Sequence, residues 1–146
     1  MKSLRYLLQA WLATVPAYGF PVEPTHITCP SVVPAAAIQV TQSPAGWAAR
    51  TSWDFKLSSA GFNSGPPEKL ADLKPDTVVD KGKRSIETWQ FDQEEFADGL
   101  WLVCGYGGAA GEITLAKRMQ AGYSSCSVSY GPSPKAGART IEIACR

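Results

Sequence analysis

The sequence is poor in histidine, because His26 is the only one in 146 residues. Serine and cysteine nucleophiles in enzymes are activated by a neighbouring base, which is most often a histidine. His26 precedes the part of the chain that we expect to fold, and no G-x-S-x-G motif is present. The sequence therefore offers no credible catalytic triad, and we expect a protein that is not an enzyme.

Closely spaced metal ligands and nucleotide-binding loops are also missing. No C-x-x-C pair is present, and the acidic residues 92–98 lack the D-x-D-x-D-G spacing of a calcium loop. Residues 105–110 match G-x-G-x-x-A, but the crossover helix and the later acidic residue that this dinucleotide motif requires are not evident. We therefore expect no metal and no cofactor.

A strong excess of charge and a long apolar run are absent as well. The chain has 14 Lys and Arg against 13 Asp and Glu, whereas nucleic-acid binding proteins are usually clearly basic. The apolar run at residues 6–15 ends at Pro16, well short of the roughly 20 residues that span a membrane. We expect neither nucleic acid as a partner nor stable membrane insertion of the processed chain.

The N-terminus has the pattern of a secretory signal. Lys2 and Arg5 precede the apolar run, and Ala17-Tyr18-Gly19 supplies small residues for cleavage after Gly19. We expect residues 1–19 to be a signal peptide, 20–28 a flexible leader and 29–146 one folded domain, in the periplasm or secreted. Cleavage would leave 12 basic and 13 acidic residues, which makes the processed chain nearly neutral.

An even number of cysteines in an exported chain predicts disulfides. The four are Cys29, Cys104, Cys126 and Cys145, and four cysteines allow three pairings. We favour Cys104 with Cys126 and Cys29 with Cys145, which would tie the first strand of the domain to the last. A bond from Cys126 to Cys145 across a terminal hairpin is the main alternative.

Residues 99–108 are predicted to form the central strand. Period-2 alternation places Leu100, Leu102, Cys104 and Tyr106 on one face, and apolar side chains on the other face as well. A strand that is apolar on both faces lies in the middle of a sheet. The predicted fold is mainly β, a single antiparallel β-sandwich or barrel-like domain with two disulfides and little helix.

Shorter alternating runs predict further strands. They cover residues 37–42, 52–58, 77–80, 85–93, 113–115, 126–130 and 140–145. Residues 112–121 could instead form a short helix, because period alone does not decide a short run. Residues 61–76 contain three prolines and two glycines, and predict a long loop pinned by Phe62, Leu70 and Leu73. Whether this loop or the glycine-rich residues 105–111 have a function stays open.

Most of the aromatic rings are expected in the core, because their burial dominates small cores. Trp47 lies in a Pro-Ala-Gly-Trp turn and Tyr123 in Ala-Gly-Tyr-Ser, so these two rings are candidates for exposure. Together with Tyr106 they are our candidate interface residues.

Several short motifs, taken together, resemble a family of small exported proteobacterial proteins of unknown function. These are Cys29-Pro30, Gly65-Pro66-Pro67 with Leu73 and Pro75 behind it, Trp89-Gln90-Phe91, the strand from Trp101 to Tyr106, and Cys126. The resemblance implies a periplasmic β-domain and no known catalytic residue.

Two kinds of function remain. The first is a binding or interaction module of the cell envelope, whose partner is a periplasmic or extracellular protein or a small ligand. The alternative is a secreted inhibitor of a hydrolase such as lysozyme, by analogy of size and compartment alone. A loop that protrudes from the domain would favour the inhibitor.

Overall fold

The computed structural model describes residues 23–92, 94, 96–108, 111–132 and 139–146. The predicted signal peptide and its cleavage site lie outside these residues. Within the described part of the chain, no helix is both long and apolar enough to cross a membrane.

Among the described residues, antiparallel strands make up most of the regular structure, together with 3₁₀ helices at Ala35–Ala37 and Pro67–Lys69. This confirms a mainly β fold with little helix. The strands are β1 (Thr25–Ile27), β2 (Val32–Val33), β3 (Phe55–Ser64), β4 (Asp72–Leu73), β5 (Thr77–Lys81), β6 (Arg84–Gln90), β7 (Leu100–Tyr106), β8 (Ile113–Arg118), β9 (Ser125–Pro132) and β10 (Arg139–Cys145).

The strands form two sheets that pack against each other. The first sheet has the order β1-β10-β9-β6-β5, and the second has β2-β3-β7-β8 with β4 also paired to β3. Phe62 on β3 meets Trp89 on β6 edge to face, with ring centroids 5.1 Å apart, and Phe91 at 5.3 Å. Aromatic burial of this kind provides the core between the two sheets.

A hydrogen-bonded tyrosine also joins the sheets. The Tyr130 hydroxyl on β9 donates to the Ala60 carbonyl oxygen on β3 at 2.7 Å and accepts from the Ala60 N–H at 3.3 Å. Burial raises the pKa of the Tyr130 phenol above its ordinary value. The polar end of this ring is thus satisfied inside the core, as a buried hydroxyl requires.

The predicted central strand is confirmed as β7, which lies between β3 and β8. Its inner face is closed, because Leu102, Cys104 and Tyr106 are 2%, 5% and 0% exposed. Trp101 and Val103 on the outer face are only half-buried. The parity of the sequence thus gave the correct inner face.

The disulfides are Cys29–Cys104 and Cys126–Cys145, so the pairing that we favoured is wrong and the hairpin bond is right. Cys126 and Cys145 lie directly opposite each other on β9 and β10, with Cα atoms 4.1 Å apart. Cys104 lies in the other sheet, where Cys29 reaches it as the chain passes from β1 to β2. Alternation indicates which face of a strand a cysteine lies on, but it does not say to which sheet that strand belongs.

Regular structure begins earlier than expected. β1 lies within the predicted leader and pairs with β10, with His26 opposite Ala144. The leader therefore adds an edge strand to the first sheet before Cys29 is reached.

The strand predicted at residues 37–42 is wrong. Pro34 precedes a 3₁₀ helix at Ala35–Ala37, residues 37–42 contain no strand, and Val40 is 55% exposed. Proline fixes a φ angle that suits the start of a helical turn. Ile38 and Val40 alternate with polar residues, but no strand pairs with this segment.

The long loop predicted at residues 61–76 is wrong at its start, because β3 continues through Phe62 to Ser64. The chain turns at Gly65, whose φ of +98° suits glycine, directly before the two prolines. Phe62 and Leu73 pack into the core as predicted, whereas Leu70 is 83% exposed.

The remaining strand predictions are largely confirmed. β5 and β6 form a hairpin in which Gly82, with φ of +63°, takes the first turn position, as a type II′ turn requires. Residues 113–118 form the strand β8 rather than a helix, and β9 pairs with β10 as the terminal hairpin.

Candidate partner-binding site

Clustered metal ligands are absent from the part of the chain that the structure describes, where no group of three or more His, Cys, Asp or Glu could hold an ion. His26 is exposed on the edge strand β1. The exposed surfaces of the domain are the next candidates for a functional site.

The tryptophan segment, residues 39–54, is the most exposed stretch of the described chain. Residues 39–50 are all exposed, and Trp47 and Trp53 expose 76% and 69% of their surface. Its local order comes from a turn in which the Trp47 N–H donates to the Pro44 carbonyl oxygen at 3.0 Å. At its end, the Asp54 carboxylate accepts from the Ala35 N–H at 2.8 Å.

An exposed indole gains the free energy of apolar burial only when a partner covers it. Tryptophan is among the residues that carry most binding energy at protein interfaces. The prediction that Trp47 is exposed agrees with this structure, whereas Trp53 was expected in the core.

Tyr106 is not available to a partner, so its assignment as an interface residue is wrong. The ring is fully buried, and its hydroxyl donates to the Pro30 carbonyl oxygen at 2.9 Å. Burial raises the pKa of this phenol as well. Tyr106 therefore holds the Cys29-Pro30 stretch against β7.

Tyr123 is half-buried and lines a cavity of about 290 Å³ together with Phe91, Phe96 and Met119. Arg118 lies at the same cavity. A partner would meet only part of this ring, so Tyr123 offers less contact area than either exposed tryptophan.

A second surface is the basic tip, which we define as Lys81, Lys83, Arg84 and Arg139. The first three belong to the β5–β6 hairpin, and Arg139 begins β10. Lys83, Arg84 and Arg139 line one cavity of about 430 Å³. The guanidinium of Arg139 lies 5.2 Å from the centre of the Tyr130 ring, within cation–π distance.

The sequence predicts strands on both sides of the β5–β6 turn, but it does not connect Arg139 to that turn. The connecting signal is the pairing of β6 with β9, which places Ser85 opposite Tyr130 and so brings the two hairpin ends together. The alternation of apolar and polar residues within β6 or β9 does not predict that the two strands pair.

The two loops left open in function are both tied to the body of the domain. In the first, the Gly65 N–H donates to the Gly99 carbonyl oxygen at 2.9 Å, and Lys69 pairs with Asp98. In the second, the Gly107 N–H donates to the Lys56 carbonyl oxygen at 3.0 Å. Residues 109 and 110 of the second loop lie outside the described residues.

One family model matches residues 48–146, about two thirds of the sequence, and it describes the Type VI secretion system Tli immunity protein. This chain belongs to the Tli immunity protein family. No curated protein and no solved structure matches it. The resemblance to a small bacterial family holds at that coarse level, but immunity was not predicted.

The region matched to the Tli family contains β3 to β10 and begins directly after Trp47. The disulfide Cys126–Cys145 lies wholly inside this region, whereas Cys29–Cys104 joins it to the segment in front. Trp53 and the basic tip are therefore part of the matched Tli region, and Trp47 is its immediate neighbour.

Proposed function

We propose that this chain is an immunity protein that binds an effector of a type VI secretion system and blocks its activity without being an enzyme itself. The observation that carries this proposal is the match of residues 48–146 to the Tli immunity family. The general interaction module predicted from the sequence thereby becomes a specific one, with a protein effector as its partner.

The architecture supports inhibition by binding. Two disulfides and a closed aromatic core make the β-sandwich a preformed body, and a preformed binding surface loses little conformational entropy in a complex. Trp47 and Trp53 are proposed as apolar contacts, and Tyr123 as a weaker one. An effector whose active-site entrance is covered in this way could not admit its substrate.

The effector that we propose is a lipase, the class associated with Tli immunity proteins. The proposed compartment is the periplasm, and the signal pattern at residues 1–19 supports it. An inhibitor of lysozyme would act in the same mode on a different target, and the family membership favours the type VI effector.

The first test uses the oxidised chain from residue 20 to 146 and the purified type VI lipase of the same bacterium. We expect saturable one-to-one binding by calorimetry and loss of phospholipid hydrolysis at equal molar ratio. Lysozyme, titrated under the same conditions, is the comparison enzyme. Inhibition of lysozyme without binding to the lipase would contradict the proposal in favour of the alternative.

A second test addresses the compartment. Cells that export the lipase to the periplasm should survive when they also produce the full chain, and should lyse when residues 2–19 are deleted. Equal protection by both forms would contradict a periplasmic site of action.

A further inference from the structure

We propose that the basic tip is the docking site for an acidic surface of the effector. This inference rests on the proposed function and deepens it, because it names the part of the chain and the chemistry of contact. Its four cations, Lys81, Lys83, Arg84 and Arg139, lie at one end of the first sheet, where the β5–β6 turn is next to the start of β10.

The first argument is the concentration of positive charge at this end of the first sheet. Lys81 and Arg84 are directly opposite each other in the β5–β6 register, an arrangement of like charges that disfavours the hairpin. Among the described residues, Asp80 lines the cavity with three of these cations, and Glu142 lines the neighbouring cavity together with Arg84. The ion pair between Lys69 and Asp98 lies outside the tip.

This concentration is out of proportion to the chain as a whole, in which acidic and basic residues nearly balance. Proteins retain locally unfavourable features mainly where function requires them. A negatively charged partner would remove the repulsion between the four cations, so the tip is matched to an acidic surface.

The second argument is preorganisation. The Arg139 guanidinium is held 5.2 Å from the Tyr130 ring, and that ring is fixed in turn by the two hydrogen bonds of its hydroxyl to Ala60. An arginine that is already positioned pays less entropy when it binds a carboxylate, and its planar guanidinium can bind both oxygens. Arginine is accordingly enriched among the residues that dominate interfaces.

The third argument is access. β5 is the edge strand of its sheet, and all five of its residues are exposed, including Val78 at 55% and Val79 at 45%. A partner can therefore reach the tip from the open side of β5. Val78 and Val79 offer apolar contacts next to the cations.

An anionic membrane would also attract four cations, but stable membrane binding needs an apolar or lipid anchor in addition. The cavity at the tip is lined by polar side chains with Gly131 and Pro132, and Tyr130 turns its hydroxyl inward to Ala60. The observations therefore favour a protein surface, and membrane binding becomes an outcome of the test.

The test compares Lys83→Glu/Arg84→Glu with the matched variant Lys74→Glu/Lys117→Glu, which reverses two exposed cations outside the tip. Binding of each chain to the type VI lipase is followed by stopped flow at low and high salt. We expect the tip variant to associate about 10- to 100-fold more slowly at low salt, because steering by charge acts on the association rate. The matched variant should remain within about twofold of the unmodified chain, and the difference should shrink at high salt.

Arg139→Lys is the second variant, since it keeps the charge and loses the planar contact. We expect nearly unchanged association and a dissociation rate raised by about tenfold, as for truncated buried charge contacts. Near-ultraviolet circular dichroism and thiol titration verify that each variant is folded and oxidised before binding is measured.

The outcomes separate this inference from the function on which it rests. If the unmodified chain binds and both double variants bind equally well or equally poorly, the tip is not the docking site, and the proposed function stands. If the unmodified chain does not bind, the proposed function falls and the tip assignment falls with it. Sedimentation with phosphatidylglycerol vesicles, abolished by the tip variant while lipase binding is kept, would assign the tip to a membrane and overturn the proposal.

Discussion

Trp89 and Trp53 occupy similar sequence patterns and have opposite environments. Trp89 is 3% exposed, its indole N–H donates to the Leu73 carbonyl oxygen at 2.9 Å, and its ring meets Phe62. Trp53 and Phe55 alternate with the polar Asp54 in the same way. Trp53 is nevertheless 69% exposed, because β3 begins only at Phe55. Alternation indicates which face a side chain would take, and strand pairing decides whether that face is covered.

The same contrast holds between the regions around them. The interior between the sheets is closed, and the structure leaves no buried side-chain nitrogen or oxygen unpartnered among the described residues. The tryptophan segment has no strand and exposes nearly all of its side chains. Exposed apolar side chains indicate an interaction surface where they form a contiguous patch, so Trp47 and Trp53 are candidates for such a surface.

The largest effect on stability is expected from removing the disulfide Cys29–Cys104, which fixes the chain to β7 ahead of the tryptophan segment. Cys29→Ala with Cys104→Ala should lower the free energy of unfolding by about 4.5 kcal/mol, because the bond closes a loop of 75 residues. Cys126→Ala with Cys145→Ala should cost about 3 kcal/mol, for a loop of 19. Guanidinium unfolding measures both, and the reverse order would contradict the loop-length argument.

Trp89→Ala should cost about 4 kcal/mol, because it removes a buried ring and leaves a cavity between the sheets. Trp53→Ala is the matched control and should change the unfolding free energy by less than about 0.5 kcal/mol, as for exposed positions. The same unfolding experiment compares them. Similar losses for the two variants would mean that Trp53 packs against the domain.

Tyr130→Phe should cost about 2 kcal/mol, because it leaves the buried N–H and carbonyl of Ala60 without the hydroxyl. Burial also raises the pKa of the Tyr130 phenol, so above about pH 10 the unfolded state loses its proton while the folded state retains it. The contribution of Tyr130 to the unfolding free energy should therefore be constant below about pH 10 and fall as the pH rises further. Unfolding curves at several pH values measure this decline, which should be smaller in Tyr130→Phe. A decline of equal size in both proteins would contradict this role of Tyr130.

The smallest effect on stability is expected at Trp47, and this variant tests directly whether the exposed tryptophan segment serves binding rather than folding. Trp47→Ala should leave the unfolding free energy within about 0.5 kcal/mol and weaken binding to the type VI lipase by about tenfold or more, as at an interface hot spot. Calorimetry gives the affinity, with Leu70→Ala as a control at a residue that is 83% exposed. Unchanged affinity would remove Trp47 from the proposed interface.

Several elements of this fold could be predicted because their signal is local. The inner face of β7, the hairpin turn at Gly82 and the inward direction of Cys126 and Cys145 all follow from period 2 or from the conformational freedom of glycine. The true start of the loop, after residue 64, was missed because β3 continues through Gly61, where no atom lies close enough to require a glycine.

The candidate site was predictable only in part. The exposure of Trp47 follows from its turn of proline and glycine, but the exposure of Trp53 depends on where β3 starts. Tyr106 is fully buried, and its hydroxyl donates a hydrogen bond to the carbonyl oxygen of Pro30, which is distant in the chain. The basic tip requires that two hairpins be adjacent, which neither hairpin encodes alone.

The sequence by itself determined a cysteine-containing antiparallel β domain and the inner faces of its central strands. These properties depend on residue type and on spacing between near neighbours. Only the tertiary structure decided that Cys29 meets Cys104, that Trp53 stays outside, and that Arg139 joins Lys83 and Arg84. Each of these follows from strand order and register, which are set by the joint packing of distant segments rather than by the periodicity of any one of them.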